Sequence, residues 1–475
     1  MGSLNATLLG AANALDVFQY ALNISQNNID NASTPGYAKQ SASLESDAFD
    51  PSTGLTGGVS QGPMVDARDL LAERDVWEQS AAQGDANARN EALTLVQNAL
   101  PVSDGSGISA AMSTFFNDVS AWSVSPQDGT TRQAVMDSAS SLVDSFHSAA
   151  AAVTQASQST DQAISGTVDQ INQLTTQLAQ INAGIQNGGQ HDAGLHAQLY
   201  STLETLSGLV QINALPQQDG TVCVSLAGGA ALVVGPQAYS LTARPATAAG
   251  PVIDPDGAPH TDIYAADGTD ITSQVTSGTL YGELYARNVS IPGLIGDTTQ
   301  PGALNQLAQT MALRINQIVS QGSVSAGVPA PTGLFLTDPT HPSTAAANLA
   351  MDPQMSASQL PAIDQNGVAN GVPLALAALA QPQQVADEIN SVSYITFYGN
   401  TAAQVGRQLN QAQSDQTLAT QTLSQAQTMR QNEQGVSLNE EALQILQFQQ
   451  AYQATAKLVS TLSSLAQTVI DMIPS

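Results

Sequence analysis

The chain is 475 residues long, room for about two to four domains, and 42% of it is apolar, enough to bury a core. Its 39 acidic residues stand against 11 basic ones, a net charge of −28, which repels a nucleic-acid backbone and an anionic membrane surface alike. Aromatic residues make up only 4%, few for an enzyme with a deep pocket. The single cysteine, Cys223, excludes an internal disulfide and reads as a small buried hydrophobe in a strand.

From Ser3, read as an N-cap, to Ile29 the pattern predicts a helix. Leu4, Leu8, Ala11, Leu15, Phe18, Leu22 and Ile29 alternate at spacings of four and three, with Ser25 the one polar member of the series. That spacing lays a narrow apolar seam along the helix, as in a coiled coil. The first 38 residues hold no Lys or Arg, and no A-x-A site follows an apolar core, so no cleaved export signal is expected. Pro35 and Gly36 break the helix, and residues 37–64, with Gly54, Gly57, Gly58 and Gly62, read as an extended, hairpin-like linker.

Helical patterns follow at 66–99, with a possible break at Gly84, at 108–122 and at 131–187. In the last of these Ile164, Val168, Ile171, Leu174, Leu178, Ile181 and Ile185 repeat the seam spacing until Gly188 and Gly189 end it. A shorter helix spans 193–212. Residues 214–285 change character: Gly, Pro, Thr and Val dominate, and the turn pairs Asp219–Gly220, Asp256–Gly257 and Asp267–Gly268 punctuate short β-like runs. The most apolar run, 222–234, is too short to span a bilayer and is broken by Gly228 and Gly229. Helix is predicted again at 301–320, an irregular region at 323–383, and a long helix at 384–432 with Val405, Leu409, Ala412, Ala419, Leu423 and Ala426 on one stripe. After a break at 435–437 the last helix carries a second seam: Ile445, Phe448, Tyr452, Thr455, Val459, Leu462, Ala466, Val469 and Ile473.

The expected fold is mainly α with an inserted all-β domain. Residues 1–64 and 433–475 form a terminal coiled-coil domain with an extended linker; 65–213 and 286–432 form a helical rod domain, irregular over 323–383; 214–285 form the β domain. Ordering the terminal helices costs roughly 1–2 kcal/mol per residue, and one seam of mixed residues barely offsets that. These ends are therefore expected to order on assembly.

The turn after the first helix reads Asn27–Asn28–Ile29–Asp30–Asn31, then Thr34–Pro35–Gly36–Tyr37, then Lys39–Gln40. It resembles the N-terminal signature of the bacterial flagellar axial proteins, and Tyr37 is expected to anchor the turn. Near the C-terminus, Leu438–Asn439–Glu440–Glu441 followed by 446–454 resembles the hook-associated protein 1 family, where rod and hook proteins usually carry Ser-Asn-Val. The resemblance implies a structural subunit without enzymatic activity, self-assembling through its terminal helices into a ring, the first junction layer between hook and filament. It implies the hook protein and the next hook-associated protein as partners, and an extracellular place in the flagellum reached through the flagellar type III channel. The family often carries a second outer β domain; 323–383 is too short and irregular to hold one. The amphipathic C-terminal helix further suggests an export chaperone that covers it in the cytoplasm.

Residue patterns give no competing chemistry. No G-x-S-x-G, H-E-x-x-H, P-loop or G-x-G-x-x-G occurs, and no catalytic, cofactor or metal site is expected. His191, Asp192 and His196 read as a polar loop and Asp254–Gly257 as a turn rather than a calcium loop. Glu440 and Glu441 sit in a first helical turn, where the dipole favours negative charge. The alternatives are a hook or rod protein, a secreted surface binder that displays the β domain, and a wall hydrolase.

Overall fold

The computed structural model describes residues 2–50, 55–101, 105–246, 251–255, 257–325 and 327–471. Helix α1 spans Gly2–Asp30, so Ser3 lies inside the helix rather than capping it. The chain then winds through three successive turns, Asn31 N–H donating to Asn27 O, Thr34 to Asn31 and Tyr37 to Thr34. Strands β1 (Gln40–Asp50) and β2 (Leu55–Asp66) pair antiparallel as one long hairpin, with a bulge between Ala42 and Leu44, and lie along α1.

Helix α2 (Leu70–Asn98) is capped by Asp69, whose carboxylate accepts from Leu71 N–H. It runs unbroken through Gly84, where a break was expected. The missing side chain serves packing instead: a Cβ at Gly84 would lie 2.0 Å from Gly208 O. Next come α3 (Gly107–Val124) and α4 (Gly129–Gly184), the latter capped by Asp128. A wide turn through Gly188, φ +111°, leads to α5 (Ala193–Leu209). Asp192 is the N-cap of α5, accepting from Gly194 and Leu195 N–H, and His196 Nε2 sits 3.1 Å from Gln190 O.

Four short strands, β3 (Ile212–Pro216), β4 (Val222–Leu226), β5 (Ala231–Val234) and β6 (Gln237–Ala238), form an antiparallel meander in sequence order. β7 (Thr242–Pro245) pairs with β8 (Thr261–Tyr264), and α6 (Thr279–Tyr285) closes the segment. The expectation for 214–285 was an all-β domain; the strands instead share one core with helices. Val222, Val224, Leu226, Leu232 and Val233 pack with Ile164, Ile171, Leu178 and Ile185 of α4 and with Leu199, Leu203 and Leu206 of α5. Strands this short and few cannot bury an apolar face without a second layer.

The chain returns through α7 (Pro292–Ile295) and α8 (Ala303–Ser320). The stretch read as irregular holds small elements: β9 (Ser323–Ser325), β10 (Val328–Pro329), β11 (Phe335–Leu336), α9 (Ala345–Asn348), β12 (Ala350–Met351) and α10 (Gly371–Ala378). α11 (Tyr394–Gln434) starts later than its expected 384, because a tight bend with positive φ at Asn390 and Ser391 precedes it and Ser393 caps it. Helix α12 (Leu438–Asp471) completes the chain.

A larger core joins α3, the first part of α4, α8, α10 and the start of α11, around Phe115, Trp122, Leu142, Phe146, Met311 and Tyr394. α11 then runs antiparallel to α2, with Leu409 and Ala412 against Leu93, and Leu423 and Ala426 against Val76. Between these contacts Gln416 bridges Asn87 and Asn90 at 2.9 and 2.8 Å. Phe146 has no exposed surface, so Phe146→Ala is expected to lower urea-unfolding stability by about 3–5 kcal/mol, while Leu418→Ala on the exposed face of α11 stays within about 0.5 kcal/mol of the parent.

Candidate assembly site: the terminal helix pair and its joint

α1 and α12 pair antiparallel, Ser25 Oγ donating to Gln444 Oε1 at 3.4 Å near one end and Ala11 lying near Thr455 towards the other. On α12 the seam residues Ile445, Phe448, Tyr452, Thr455, Val459, Leu462 and Ala466 are all half-buried between exposed neighbours. On α1 the deepest residues are Ala11, Val17, Ala21, Ile24, Ser25 and Asn28. Leu8, Leu15, Phe18, Leu22 and Ile29 are only half-buried. Apart from Ala11 and Ser25, the buried face of α1 therefore sits one position before the predicted seam. α1 is packed on two sides, by the hairpin as well as by α12, and its buried face turns between them. Leu4 and Val469 lie within these helices but their side chains are not among those described, and Ile473 lies outside the described residues.

The pair also carries apolar groups that nothing in the described chain covers. Two leucine pairs on α12, Leu443 with Leu446 and Leu458 with Leu465, are each about half exposed away from the seam, and Leu9 of α1 is 66% exposed. A groove of about 360 Å³, lined by Gly10, Ala11, Gly57, Ala454 and Leu458, runs beside it. Both pairs were visible in the sequence as leucines one or two turns apart, but counting a single seam passed over them.

At the foot of the pair a buried polar joint ties it to the helical body. Asn28 engages both ends of its amide: Oδ1 accepts from Gln40 N–H and Tyr37 Oη, each at 2.9 Å, and Nδ2 donates to Gln40 O at 2.8 Å. Burial, aided by the charge of Glu441, pushes the Tyr37 hydroxyl up to about 12, so it stays a donor. Asn31 Nδ2 donates to Asn27 O and Oδ1, and Thr34 Oγ1 to Asn31 Oδ1, closing the turn. Gly36 has φ +74°, and a Cβ there would lie 2.3 Å from Ala197 O, so the turn presses directly on α5. The signature residues Asn27, Asn28, Asn31, Thr34, Gly36 and Tyr37 are thus brought together, with Ile29 half-buried beside them.

The joint's charged centre is Glu73 of α2, fully buried. It meets Arg68 at 2.6 Å, Arg430 of α11 at 3.1 Å and Gln434 Nε2 at 2.7 Å. Arg68 also donates to Gly36 O at 2.8 Å and lies 3.7 Å from the Tyr200 ring centre, a cation–π contact. Arg430 reaches Glu204 of α5 at 2.8 Å. Burial pulls its guanidinium down, but Glu204 and Glu73 outweigh that and hold it above the usual range. Gln434 closes the circuit: its Oε1 accepts from Asp69 N–H and its backbone O from Lys39 N–H.

Lys39 reaches the start of α12, with Nζ 3.1 Å from Glu440 and 3.4 Å from the fully buried Glu441. Burial lowers its ammonium, but the hydrogen bonds and charges of Glu440 and Glu441 win and raise it. Leu438 and Asn439 are exposed and stand outside this network. Sequence reading missed Arg68, Glu73, Tyr200, Glu204, Arg430 and Gln434. The available signal was scarcity: in a chain with 11 basic residues, two arginines flank the predicted linkers.

Among the described residues no group of three His, Cys, Asp or Glu side chains is placed to hold a metal ion, and no helix is long and apolar enough to cross a membrane. Asp254 instead holds a loop, accepting from Ser343 N–H at 2.9 Å.

A helical body with its two chain ends paired and locked to it by a signature turn defines a structural protein of the flagellar axis. A family model described as the flagellar hook-associated protein FlgK helical domain matches residues 93–334, and one described as the flagellar basal body rod FlgEFG protein C-terminal matches 430–472. The chain belongs to the flagellar hook-associated protein FlgK family. It is 24% identical to flagellar hook-associated protein 1 of Bacillus subtilis over 98% of this chain and 99% of that one. To the protein of the same name in Escherichia coli it is 26% identical over 66% of this chain and 57% of that one. The flagellar hook junction protein FlgK of Burkholderia pseudomallei shares the fold, with a TM-score of 0.64 at 15% identity over 77% of this chain and 100% of that chain.

Glu73→Ala leaves Arg68 and Arg430 without their shared carboxylate, a loss expected at about 3–5 kcal/mol of local stability. Limited trypsin digestion read by mass spectrometry then cuts at Lys39 and Arg68 well before Arg132 in the core of the body.

Proposed function

We propose that the chain forms the first junction ring between the flagellar hook and filament, assembling through α1 and α12 and without enzymatic activity. The observation that carries this reading is the set of exposed leucines Leu443, Leu446, Leu458 and Leu465 on a terminal helix pair already half-buried along its seam. Large apolar side chains recurring in water along one helix pair mark a surface that a partner covers. Copies of the same pair are its natural cover, the seam residues and Leu4, Val469 and Ile473 contributing to the same assembly surface.

Charge supports the same division of labour. α1 carries only Asp16 and Asp30, and α12 only Glu440, Glu441, Lys457 and Asp471, so most of the net −28 lies elsewhere. Near-neutral ends pack at the centre while acidic bodies repel and stay apart. In this reading 1–64 with 433–475 is the assembling terminal domain, 65–213 with 286–432 the rod, and 214–285 the outward layer. The hook protein and the next hook-associated protein bind on the two sides of the ring, and an export chaperone covers α12 before secretion. The terminal pair gains its full order in the ring, and the place of work is outside the cell.

Deleting the gene is expected to leave bare hooks in electron micrographs and flagellin shed into the medium; missing hooks or normal filaments overturn the junction reading. Leu458→Ser with Leu465→Ser is expected to abolish rescue of motility while the monomer's unfolding free energy moves by no more than about 1 kcal/mol, since both side chains are half exposed.

A further inference from the structure

The two hydrophobic cores meet on α4, and the seam between them is polar. The larger core ends on α4 at Ala156 and the second begins at Ile164. Around that boundary lie Thr160 and Thr167, both buried, and Asp161, which accepts from Arg287 at 2.8 Å and Thr261 at 2.7 Å. Glu283 of α6 points into the same seam, 8% exposed. One oxygen accepts from Thr167 Oγ1 at 3.0 Å; the other is buried and has no hydrogen-bond partner among the described residues.

Among the described residues no cation is paired with this carboxyl. On α2, Arg89 is bound to Asp85 and lies over the rings of Tyr281 and Tyr285, while Glu91 adds like charge. On the turn after α6, Arg287 is taken by Asp161 of α4. On α5, Glu204 is engaged by Arg430 and Gln427 at the terminal joint. Nor does α6 have room to shift. A Cβ at Gly282 would lie 2.5 Å from Asp85 O, and one at Gly278 2.6 Å from Leu209 O, so the helix rests backbone to backbone on its neighbours.

We propose that Glu283 is a pH-sensitive joint between the two cores, neutral and tightly packed when protonated, and loosening α6 from α2 and α4 when it ionises. Burial first, with Glu91 adding to it and the Thr167 hydrogen bond opposing, raises this carboxyl from 4.5 to about 7. The folded chain then holds a proton that the unfolded chain has already released. The stabilising contribution is complete below about pH 4.5 and is lost as pH rises towards 7. This inference stands apart from the assembly reading and survives its failure.

The test is urea unfolding of the full chain from about pH 5 to about pH 8, wild type against Glu283→Gln, with amide exchange followed at 279–285. Repulsion within an acidic chain gives both proteins some slope, so the difference carries the answer. The wild-type unfolding constant is expected to rise on the order of a hundredfold more than the variant's across that range. Exchange in α6 is expected to accelerate with pH only in the wild type, after correction for the intrinsic rate. Should Glu283→Gln not fold, the exposed substitution Glu91→Gln carries the test and flattens the slope in the same sense. Parallel pH profiles in wild type and variant, or α6 exchange indifferent to the substitution, overturn the proposal.

Discussion

The buried carboxylate of Glu73 is the interaction on which the arrangement of this molecule depends. It is shared by Arg68 from the end of the hairpin, by Arg430 and Gln434 from the last turns of α11, and through Arg68 by the carbonyl of Gly36. A carboxylate removed from water is tolerated only when its charge and lone pairs are met. Here the groups that meet it come from opposite ends of the sequence. Satisfying one ion therefore fixes where the N-terminal turn, the hairpin exit and the α11–α12 break stand relative to one another. Hydrophobic contact would hold these parts together but would leave the angle soft, because apolar packing is non-directional. A guanidinium N–H aimed at a carboxylate oxygen is directional, and two such contacts from Arg68 and Arg430 constrain the angle at the joint.

Around this centre the molecule divides its stabilisation by kind. The body is held by two dry cores strung along α4, with large side chains such as Trp122, Phe146 and Tyr394 wholly enclosed. The α2–α11 pair that carries the joint is drier at its two ends than in its middle, where amides bridge. The terminal pair is the least enclosed part. Among the described side chains of its C-terminal helix, Glu441 in the first turn is fully buried and those along the seam are half-buried. Local stability follows enclosure, so the ends are the part most easily reordered by a partner.

Glycine placement carries a similar lesson. Gly36, Gly84, Gly278 and Gly282 each stand where a neighbouring backbone approaches too closely for a Cβ. Three of them stack α2, α5 and α6 against one another and the fourth seats the signature turn on α5. The same residue type that reads as a break in a helical pattern acts here as the contact that brings two helices together.

Much of the architecture was legible in the residues themselves. The order of helices and the C-terminal seam follow from apolar spacing, because a helix packed on one side must repeat its apolar residues at 3.6-residue intervals, and the hairpin after the first helix follows from its Pro and Gly breaks. The signature turn was legible too, since Asn28, Gly36 and Tyr37 perform local tasks: hydrogen bonds within a dozen residues, and a positive φ. Tertiary structure alone decided the rest. α1 is gripped from two sides, which turns its buried face by one residue away from the seam that spacing predicts. The strands of 214–285 borrow their core from α4 and α5, because strands so short cannot bury a face by themselves. Beyond the scarcity of arginine, nothing in the sequence marked the joint, because its members, Arg68, Glu73, Glu204, Arg430 and Gln434, are ordinary surface residue types. They become a site only when folding carries them out of water together, where each charge must find its partner.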